Sequence, residues 1–448
     1  MKLASIVLAA GKGTRMKSNL PKVLHQVCGQ PMIHYAVNGV ETCGAENTVV
    51  VIGHGAEQVR EFLGSRFQYA VQENQLGTGH AVLCAIPEIP VDSDLVLVSY
   101  GDMPLLTAET LLKLVRNQQK NPGPISMTTM ISEEPRGFGR VIRDENQGVV
   151  GIVEEVQCTP DQLEIKELNV GAYCFDARWL RQALTRLPLS PKGEYYLTDA
   201  IGIAVADGLK VEAITVSDNH EAMGINNRIH LSQAEAIMRT RILEKLMLDG
   251  VTIIDPASTY VEDTVSIGID TIIQPNTYLR GITKIGQGCQ IGPNTIVTDC
   301  EIGDRCVILA VVMEKAVVED GVDMGPFARL RKGAHLGPGV HMGNFGEVKD
   351  SYLGAGTKMG HFSYIGNATI GKDVNIGAGT ITCNYDGKKK HPTVIGDRVF
   401  IGSDTMLVAP LNIAEDAKTG AGAVVTHDVQ AGEVVVGVPA KPLRKTKK

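Results

Sequence analysis

The sequence predicts two folds in one chain: an α/β, Rossmann-like domain and, after a connecting helix, a parallel β-helix of hexapeptide repeats. Three observations carry this. Up to about residue 225, apolar strand-like runs alternate with helical patterns, the grammar of a mostly parallel sheet covered on both faces. From Asn227 to Asp249 one long helical pattern has Ile229, Ile237, Ile242 and Leu246 among its apolar positions, and Gly250 is its stop signal. Beyond Pro256, aliphatic residues recur at every sixth position, a period that neither a helix nor a simple hairpin sheet keeps. The expected bounds are 1–226 for the first domain, 227–249 for the helix and 250–448 for the second domain.

In the first domain, Ile6–Ala10, Thr48–Ile52, Leu95–Tyr100 and Ile125–Met130 read as strands, and His34–Thr42 and Glu109–Gln119 as helices. Ligands of such a sheet sit beyond the carboxyl ends of its strands, here the turns that follow Ala10 and Tyr100. At ~1.5 Å per residue, the connecting helix could hold two domains ~30 Å apart. In the second domain the series Ile285, Ile291, Val297 is repeated by Leu353, Met359, Ile365 and by Ile395, Ile401, Leu407, Ile413. Each turn of such a chain stacks on the one before. The stretch Thr382–Thr393, TCNYDGKKKHPT, breaks the period and is expected to protrude as a loop.

Composition narrows the function. The 448 residues exceed one compact core, and with 44% hydrophobic but only 4% aromatic residues that core must be aliphatic. A formal charge of −7 argues against nucleic acid as a partner. No apolar run is long enough to span a bilayer and no signal-peptide pattern precedes the first strand, so no membrane partner and a cytoplasmic location are expected. The nine cysteines are scattered, with no Cys-x-x-Cys pair, and read as reduced, mostly buried thiols.

The chemistry begins at LAAGKGTRM. Gly11-x-Gly13 lacks the third glycine of the dinucleotide fingerprint, and its spacing does not fit a P-loop; the glycines alone fit a plain strand-to-helix turn equally well. The cations decide. Arg15 follows at once and Pro21-Lys22 adds a second charge, which with backbone N–H groups suits a triphosphate better than a dinucleotide.

LAAGKGTRMKSNLPKVL is similar to the signature of sugar-nucleotide pyrophosphorylases. With QENQLGTGHA, YGDMPLL, GFGRVI, IVEE, LNVG, GEYYLTD and GINNR, and with the repeats, essentially the whole chain resembles the bacterial bifunctional N-acetylglucosamine-1-phosphate uridyltransferase/glucosamine-1-phosphate N-acetyltransferases. The resemblance implies that the first domain is a nucleotidyltransferase joining UTP to N-acetylglucosamine 1-phosphate with release of pyrophosphate. That reaction calls for charge neutralisation and in-line positioning more than for a general base. Arg15 and Lys22 would hold the phosphates, and Asp102 and Asn226 would be the ligands of Mg²⁺, which takes its remaining oxygens from water and phosphate. The nucleotide would lie against Leu8, Ala9, Ala10, Gly11, Tyr100 and Gly101, its base at Gln72, Gly77 and Thr78. The sugar would fall at Gly139, Glu154, Asn169, Tyr196 and Thr198.

For the second domain the resemblance implies a left-handed β-helix that assembles as a homotrimer. It transfers an acetyl group from acetyl-CoA to glucosamine 1-phosphate. A histidine on a repeat face is by itself ordinarily solvated or structural. His361 in MGHFSYIG, however, lies between Arg331 and Lys349 upstream and Tyr364 downstream, and an imidazole is the base such a transfer needs. Arg331, Lys349, Tyr364, Asn375 and Lys390 would hold the phosphorylated sugar; Ala378, Asn384, Tyr385, Ser403 and Ala421 fall at acetyl-CoA positions. Two departures stand out. RLRKG puts Lys332 where a proline is common, and Gly437 stands where the family often has an arginine for coenzyme A, leaving Lys441 or Arg444 to take its phosphates or to be solvated. A single-activity nucleotidyltransferase whose β-helix only oligomerises or regulates, and a non-enzymatic binding subunit, stay open at this level.

Overall fold

A computed structural model describes residues 1–134 and 137–442; Arg444 lies outside them. The chain divides into two compact units, Met1–Met238 and from Arg239 onward. The first unit is built on a nine-stranded sheet. In chain order its strands are β1 (Leu3–Leu8), β2 (Asn47–Ile52), β3 (Gln68–Val71), β4 (Leu95–Tyr100), β5 (Ile125–Ile131), β6 (Arg140–Arg143), β7 (Val149–Val153), β8 (Glu167–Asp176) and β9 (Val211–Thr215). Across the sheet they run β9-β5-β8-β4-β1-β2-β3, with the β6–β7 hairpin attached to β8.

Strand β1 shows why this sheet is covered on both faces. Ala4, Ile6 and Leu8 point into one hydrophobic core and Leu3 and Val7 into another, the period-2 alternation of a strand sandwiched between layers. Ser5 is buried in this strand because its hydroxyl meets that of Thr48 at 2.8 Å. The strand is shifted from the expected Ile6–Ala10: it starts at Leu3 and ends at Leu8. Ala9 N makes one further bond, to Val51 O at 2.8 Å, before the chain turns. The helices over Met32–Thr42 and Ala108–Lys120 begin earlier than expected, the second capped by Thr107 Oγ1 accepting from Thr110 N at 3.2 Å. Strand β8 was not among the expected elements. It lies antiparallel between β4 and β5, and its register shifts between Asn169 and Tyr173. Gly171, at φ +105°, sits in that bulge, where a Cβ would come within 3.2 Å of the Tyr100 ring.

One helix, Arg228–Leu248, leads out of this unit into the next, entered where Asn227 Oδ1 accepts from His230 N at 2.9 Å. Its buried positions are Ala234, Met238, Leu243 and Leu246. Ile229, counted among its apolar positions, is 68% exposed in the first turn. Among the described residues no helix is long and apolar enough to cross a membrane.

The second unit is a parallel β-helix of three sheets, holding 12, 10 and 9 short strands among the described residues. Consecutive members of the six-residue series fall on consecutive sheets. Ile291 lies on the first, Val297 on the second and Ile285 on the third. Three steps complete a coil, so Ile395 pairs with Ile413 on the coil above. The inward residues stack into one aliphatic core that also takes in Cys289, Cys300 and Cys306. The nine cysteines are free thiols and six of them are buried. Glycine after the aliphatic residue reflects close approach between coils: a Cβ on Gly354 would lie 2.5 Å from Gly371 O. The interruption is a short hairpin between strands Ile381–Cys383 and Thr393–Ile395, closed by a Tyr385–Lys390 bridge.

Ile291, fully buried in this stack, gauges how much the inward series stabilises the coil. Ile291→Ala should cost about 2–5 kcal/mol and Ile291→Val about 0.5–1.5 kcal/mol in chemical denaturation. Equal, negligible losses for both would contradict a tightly packed coil interior.

Candidate functional site

Strands β1 and β4 are neighbours in parallel register, with Leu8 opposite Tyr100. Both turns therefore leave the sheet at the same end, and Gly101 N bonds back to Leu8 O at 2.9 Å. The first turn carries Gly11 to Arg15, the second Gly101 and Asp102. In the first, Gly13 is left-handed at φ +60° and lies against Lys22, where a Cβ would come within 2.6 Å of the lysine Cβ. Only glycine satisfies both demands. The Lys22 stem thus runs along the turn, and its ammonium pairs with the Asp102 carboxylate and donates to Asn226 Oδ1 at 3.0 Å. Arg15 Nη2 donates to the same Asn226 oxygen, also at 3.0 Å. Residues 211 positions apart are gathered at one point, and Ile225 N, donating to Asp102 O at 2.9 Å, fixes the approach of the Asn226 segment.

This group borders an open cavity of about 480 Å³. Leu8, Ala9, Ala10 and Gly11 line it, together with the charged Arg15, Lys22 and Asp102. Gln72, Gly77, Thr78, Tyr100 and Tyr196 line it as well. A clasp between QLGTGH and EYYLTD holds part of this lining: Gly79 N donates to Tyr195 O at 2.8 Å, and Leu197 N to Thr78 Oγ1 at 3.0 Å. Gly77, at φ +96°, has Tyr195 O 2.5 Å from where a Cβ would stand. Burial pushes the Tyr100 phenol well above its ordinary range, the Asp102 charge adds to this, and a hydrogen bond with Thr78 partly opposes it.

Of the residues the sequence singled out for the sugar, only Tyr196 lines this cavity. The others join in pairs. Thr198 Oγ1 donates to Glu154 Oε1 at 3.3 Å, Asn169 Nδ2 donates to Tyr173 OH at 2.7 Å, and Gly139 O accepts from Asn169 N at 2.9 Å. Asn169 Oδ1 is buried with no partner among the described residues. Gly101 and Asn226 support the lining without belonging to it. Sequence reasoning missed Val23, Gln75, Ala81 and Glu194, which do line the cavity. All four stand inside motifs already quoted, Val23 in LAAGKGTRMKSNLPKVL, Gln75 and Ala81 in QENQLGTGHA and Glu194 in GEYYLTD, but as ordinary apolar, amide or acidic residues nothing in their type set them apart.

In the second unit the coil geometry sorts the candidates. His361 is exposed at the corner between the first and second sheets. Ala378, Ser403 and Ala421 take the same corner on the following coils. The stacking is fixed by Gly379 N to Phe362 O at 2.7 Å, Asp404 N to Ala378 O at 2.6 Å and Gly422 N to Ser403 O at 2.8 Å. At the other end of the second sheet Arg331, Lys349 and Lys390 come together. Arg331 Nη1 pairs with Glu347 at 3.0 Å, and Lys349 and Lys390 share Asp350 at 3.9 and 4.0 Å. Lys390, with Arg331 contributing, holds the Lys349 ammonium below its ordinary range. Tyr364 lies on the same sheet, and Asn384 Nδ2 donates to Asn367 Oδ1 at 2.7 Å beside it. Tyr385 is exposed in the hairpin. Asn375 is not brought to this cluster: it lies on the first sheet, between Lys358 and Phe400. At the end of the coil Gly437 adopts φ +92° and Lys441 lies exposed in the last short strand.

Comparison with known proteins accounts for both units. Residues 5–187 match the model of the MobA-like NTP transferase domain. Residues 282–310 match the bacterial transferase hexapeptide and 392–427 the hexapeptide repeat of succinyl-transferase. Over its length the chain is similar to proteins described as bifunctional protein GlmU. It is 48% identical to that of Heliobacterium modesticaldum over 97% of this chain and 95% of that protein. It is 46% identical to that of Pelobacter propionicus over the same shares, and 46% identical to that of Geobacillus thermodenitrificans over 98% and 95%.

Burial raises the Glu154 carboxyl above its ordinary value, against the opposing pull of the Thr198 hydroxyl. Between the ordinary glutamate range and that raised value the folded chain binds more protons than the unfolded one, so stability falls as pH rises through this window. Glu154→Gln removes the penalty. Urea denaturation followed by Trp179 fluorescence should give the variant the higher midpoint at pH 7, converging with the unsubstituted chain below about pH 4. A difference that does not change with pH would contradict the assignment.

Proposed function

We propose roles for individual residues from one premise: the chain belongs to the GlmU family, the bifunctional uridyltransferase/acetyltransferases that make UDP-N-acetylglucosamine. The uridylyl site is the cavity of the first unit. A phosphate oxygen of N-acetylglucosamine 1-phosphate attacks the α-phosphorus of UTP; one P–O bond forms, another breaks, and pyrophosphate leaves. The attacking oxygen is already ionised near neutrality, so no side chain has to remove a proton. Arg15 and Lys22 bind the phosphates and spread the charge of the transition state. Gln72, Gly77 and Thr78 hold the base. Gly139, Glu154, Asn169, Tyr196 and Thr198 orient the sugar, so that the reacting atoms meet in line.

The single observation that supports this best is the gathering of Asp102, Asn226 and Arg15 around Lys22. Asp102 and Asn226 present two hard oxygens to one cation, the donor chemistry Mg²⁺ selects. Among the described residues no cluster of three His, Cys, Asp or Glu side chains offers another metal position. When bound, Mg²⁺ supplies charge neutralisation to the phosphate oxygens.

In the second unit His361 is the general base of acetyl transfer from the co-substrate acetyl-CoA. The 2-amino group of glucosamine 1-phosphate gives its proton to the imidazole and attacks the thioester carbonyl; the C–N bond forms, the C–S bond breaks, and the departing thiolate takes the proton back from the imidazolium, so coenzyme A leaves as the thiol. Arg331, Lys349 and Lys390 bring three positive charges to one edge, paired there with Glu347 and Asp350, the setting of a phosphate site. Tyr364 and Asn375 add to the sugar pocket, Asn384 and Tyr385 flank it, and the corner through Ala378, Ser403 and Ala421 carries the acetyl-CoA. Because Asn375 and Tyr364 lie on different sheets, one copy does not complete the pocket. A homotrimer of left-handed β-helices would supply both faces. The working compartment is the cytoplasm.

Two measurements test this reading. His361→Ala should lower acetyl transfer by about 10²–10⁴-fold with uridylyl transfer unchanged, while chelating Mg²⁺ should stop uridylyl transfer alone, since only that site handles a triphosphate; parallel loss of both activities in either experiment would sink the two-site assignment. Light scattering should give three times the 48.0 kDa chain mass, and a monomer with full acetyl transfer would refute the shared pocket.

A further inference from the structure

We propose that His80 is a positioning residue for base selection: with Gly77 it fixes the Gln72 amide so that oxygen, not nitrogen, faces the pyrimidine. The inference rests on the reading above that Gln72 meets the base. Gln72 is 4% exposed and lines the cavity. Its Nε2 lies 3.0 Å from Gly77 O and 3.0 Å from His80 Nδ1. A carbonyl oxygen only accepts, so the amide nitrogen must be the atom turned toward Gly77. Its second proton then goes to His80 Nδ1, which accepts in the tautomer protonated at Nε2. Both N–H groups are thereby spent. Oε1 has no partner among the described residues and remains the amide's contact for a ligand.

This orientation carries a chemical choice. Uracil presents N3–H, a donor, on the edge that cytosine presents as a bare ring nitrogen. An amide oxygen bonds the first and repels the second. Gly77 N–H, which donates to no group among the described residues, can serve a neighbouring carbonyl of uracil; it has no counterpart at the amino group of cytosine. A site built on such donor–acceptor matching rejects the mismatched base more strongly than shape alone would. Without the Nδ1 acceptor, one amide proton is left unpaired and the side chain is free to leave this pose. His80 never touches the base; it acts through Gln72.

The test compares kcat/KM for UTP and CTP, with N-acetylglucosamine 1-phosphate as acceptor, in the unsubstituted chain, His80→Leu, His80→Asn and Gln72→Ala. His80→Leu should reduce the UTP-over-CTP preference about tenfold or more, chiefly through the KM for UTP with kcat little changed. His80→Asn, whose amide oxygen can stand near the Nδ1 position, should keep most of the preference. Trp179 fluorescence through urea denaturation establishes that each variant's first unit is folded. An unchanged preference in His80→Leu, while Gln72→Ala loses it, would overturn the role of His80 alone. Equal loss in His80→Leu and His80→Asn, both folded, would also overturn it, since the acceptor would then be irrelevant. An unchanged preference in Gln72→Ala would overturn the placement of the base at Gln72.

Discussion

The parallel pairing of β1 with β4 is the constraint on which the first site depends. Because Leu8 stands opposite Tyr100, the glycine turn and the Asp102 turn emerge side by side, and one lysine closes the gap between them. A one-residue slip of this pairing would turn the strands' side chains to the opposite faces, and both cores resist that because every apolar β1 residue is already committed to one of them. The missing Cβ of Gly13 then lets the Lys22 stem lie against the turn. The ammonium, the guanidinium of Arg15, the Asp102 carboxylate and the Asn226 amide gather as a consequence of backbone geometry.

The second site follows from a different constraint. A coil closed in three six-residue steps returns to the same corner on each circuit, so residues widely separated in sequence become a straight file. His361, Ala378, Ser403 and Ala421 are such a file. The acetyl-CoA proposed above would lie along this file, with its thioester at the histidine. The same regularity explains the departure at Thr382–Thr393. The hairpin is accommodated between two strands without disturbing the ladder, since Ile370 still pairs with Ile395 across the insertion, and it carries Tyr385 and Lys390 outward.

Much of this was legible in the sequence, for physical reasons that differ by region. The six-residue period maps directly onto the three sheets, because each step turns one large aliphatic residue inward, with a small buried residue such as Thr271, Cys289 or Thr295 two positions before it. The strand–helix alternation gave the right layers but not β8, whose antiparallel place between β4 and β5 is a matter of tertiary order that local pattern does not encode. Ile229 counted among the helix's apolar positions and is exposed, since an apolar pattern does not tell where the first turn points. The Gly-Lys-Gly-Thr-Arg turn announced phosphate, yet the grip of Arg15 and Lys22 on Asn226 could not be read from spacing across some two hundred residues. The resemblance of GINNR pointed to Asn226 only as a metal ligand; its hydrogen bonds with Arg15 and Lys22 are seen in the structure alone. His80 had no signal of its own; its meaning depends on which atom of Gln72 it meets.

The central claim is that one chain carries two separate chemistries in series. It is tested most directly by supplying glucosamine 1-phosphate, acetyl-CoA, UTP and Mg²⁺ to the full chain and following free thiol and pyrophosphate together. Thiol should appear first, pyrophosphate should follow after a lag, and omitting acetyl-CoA should suppress both. Pyrophosphate released at an undiminished rate without acetyl-CoA, or pyrophosphate with no thiol at all, would contradict it.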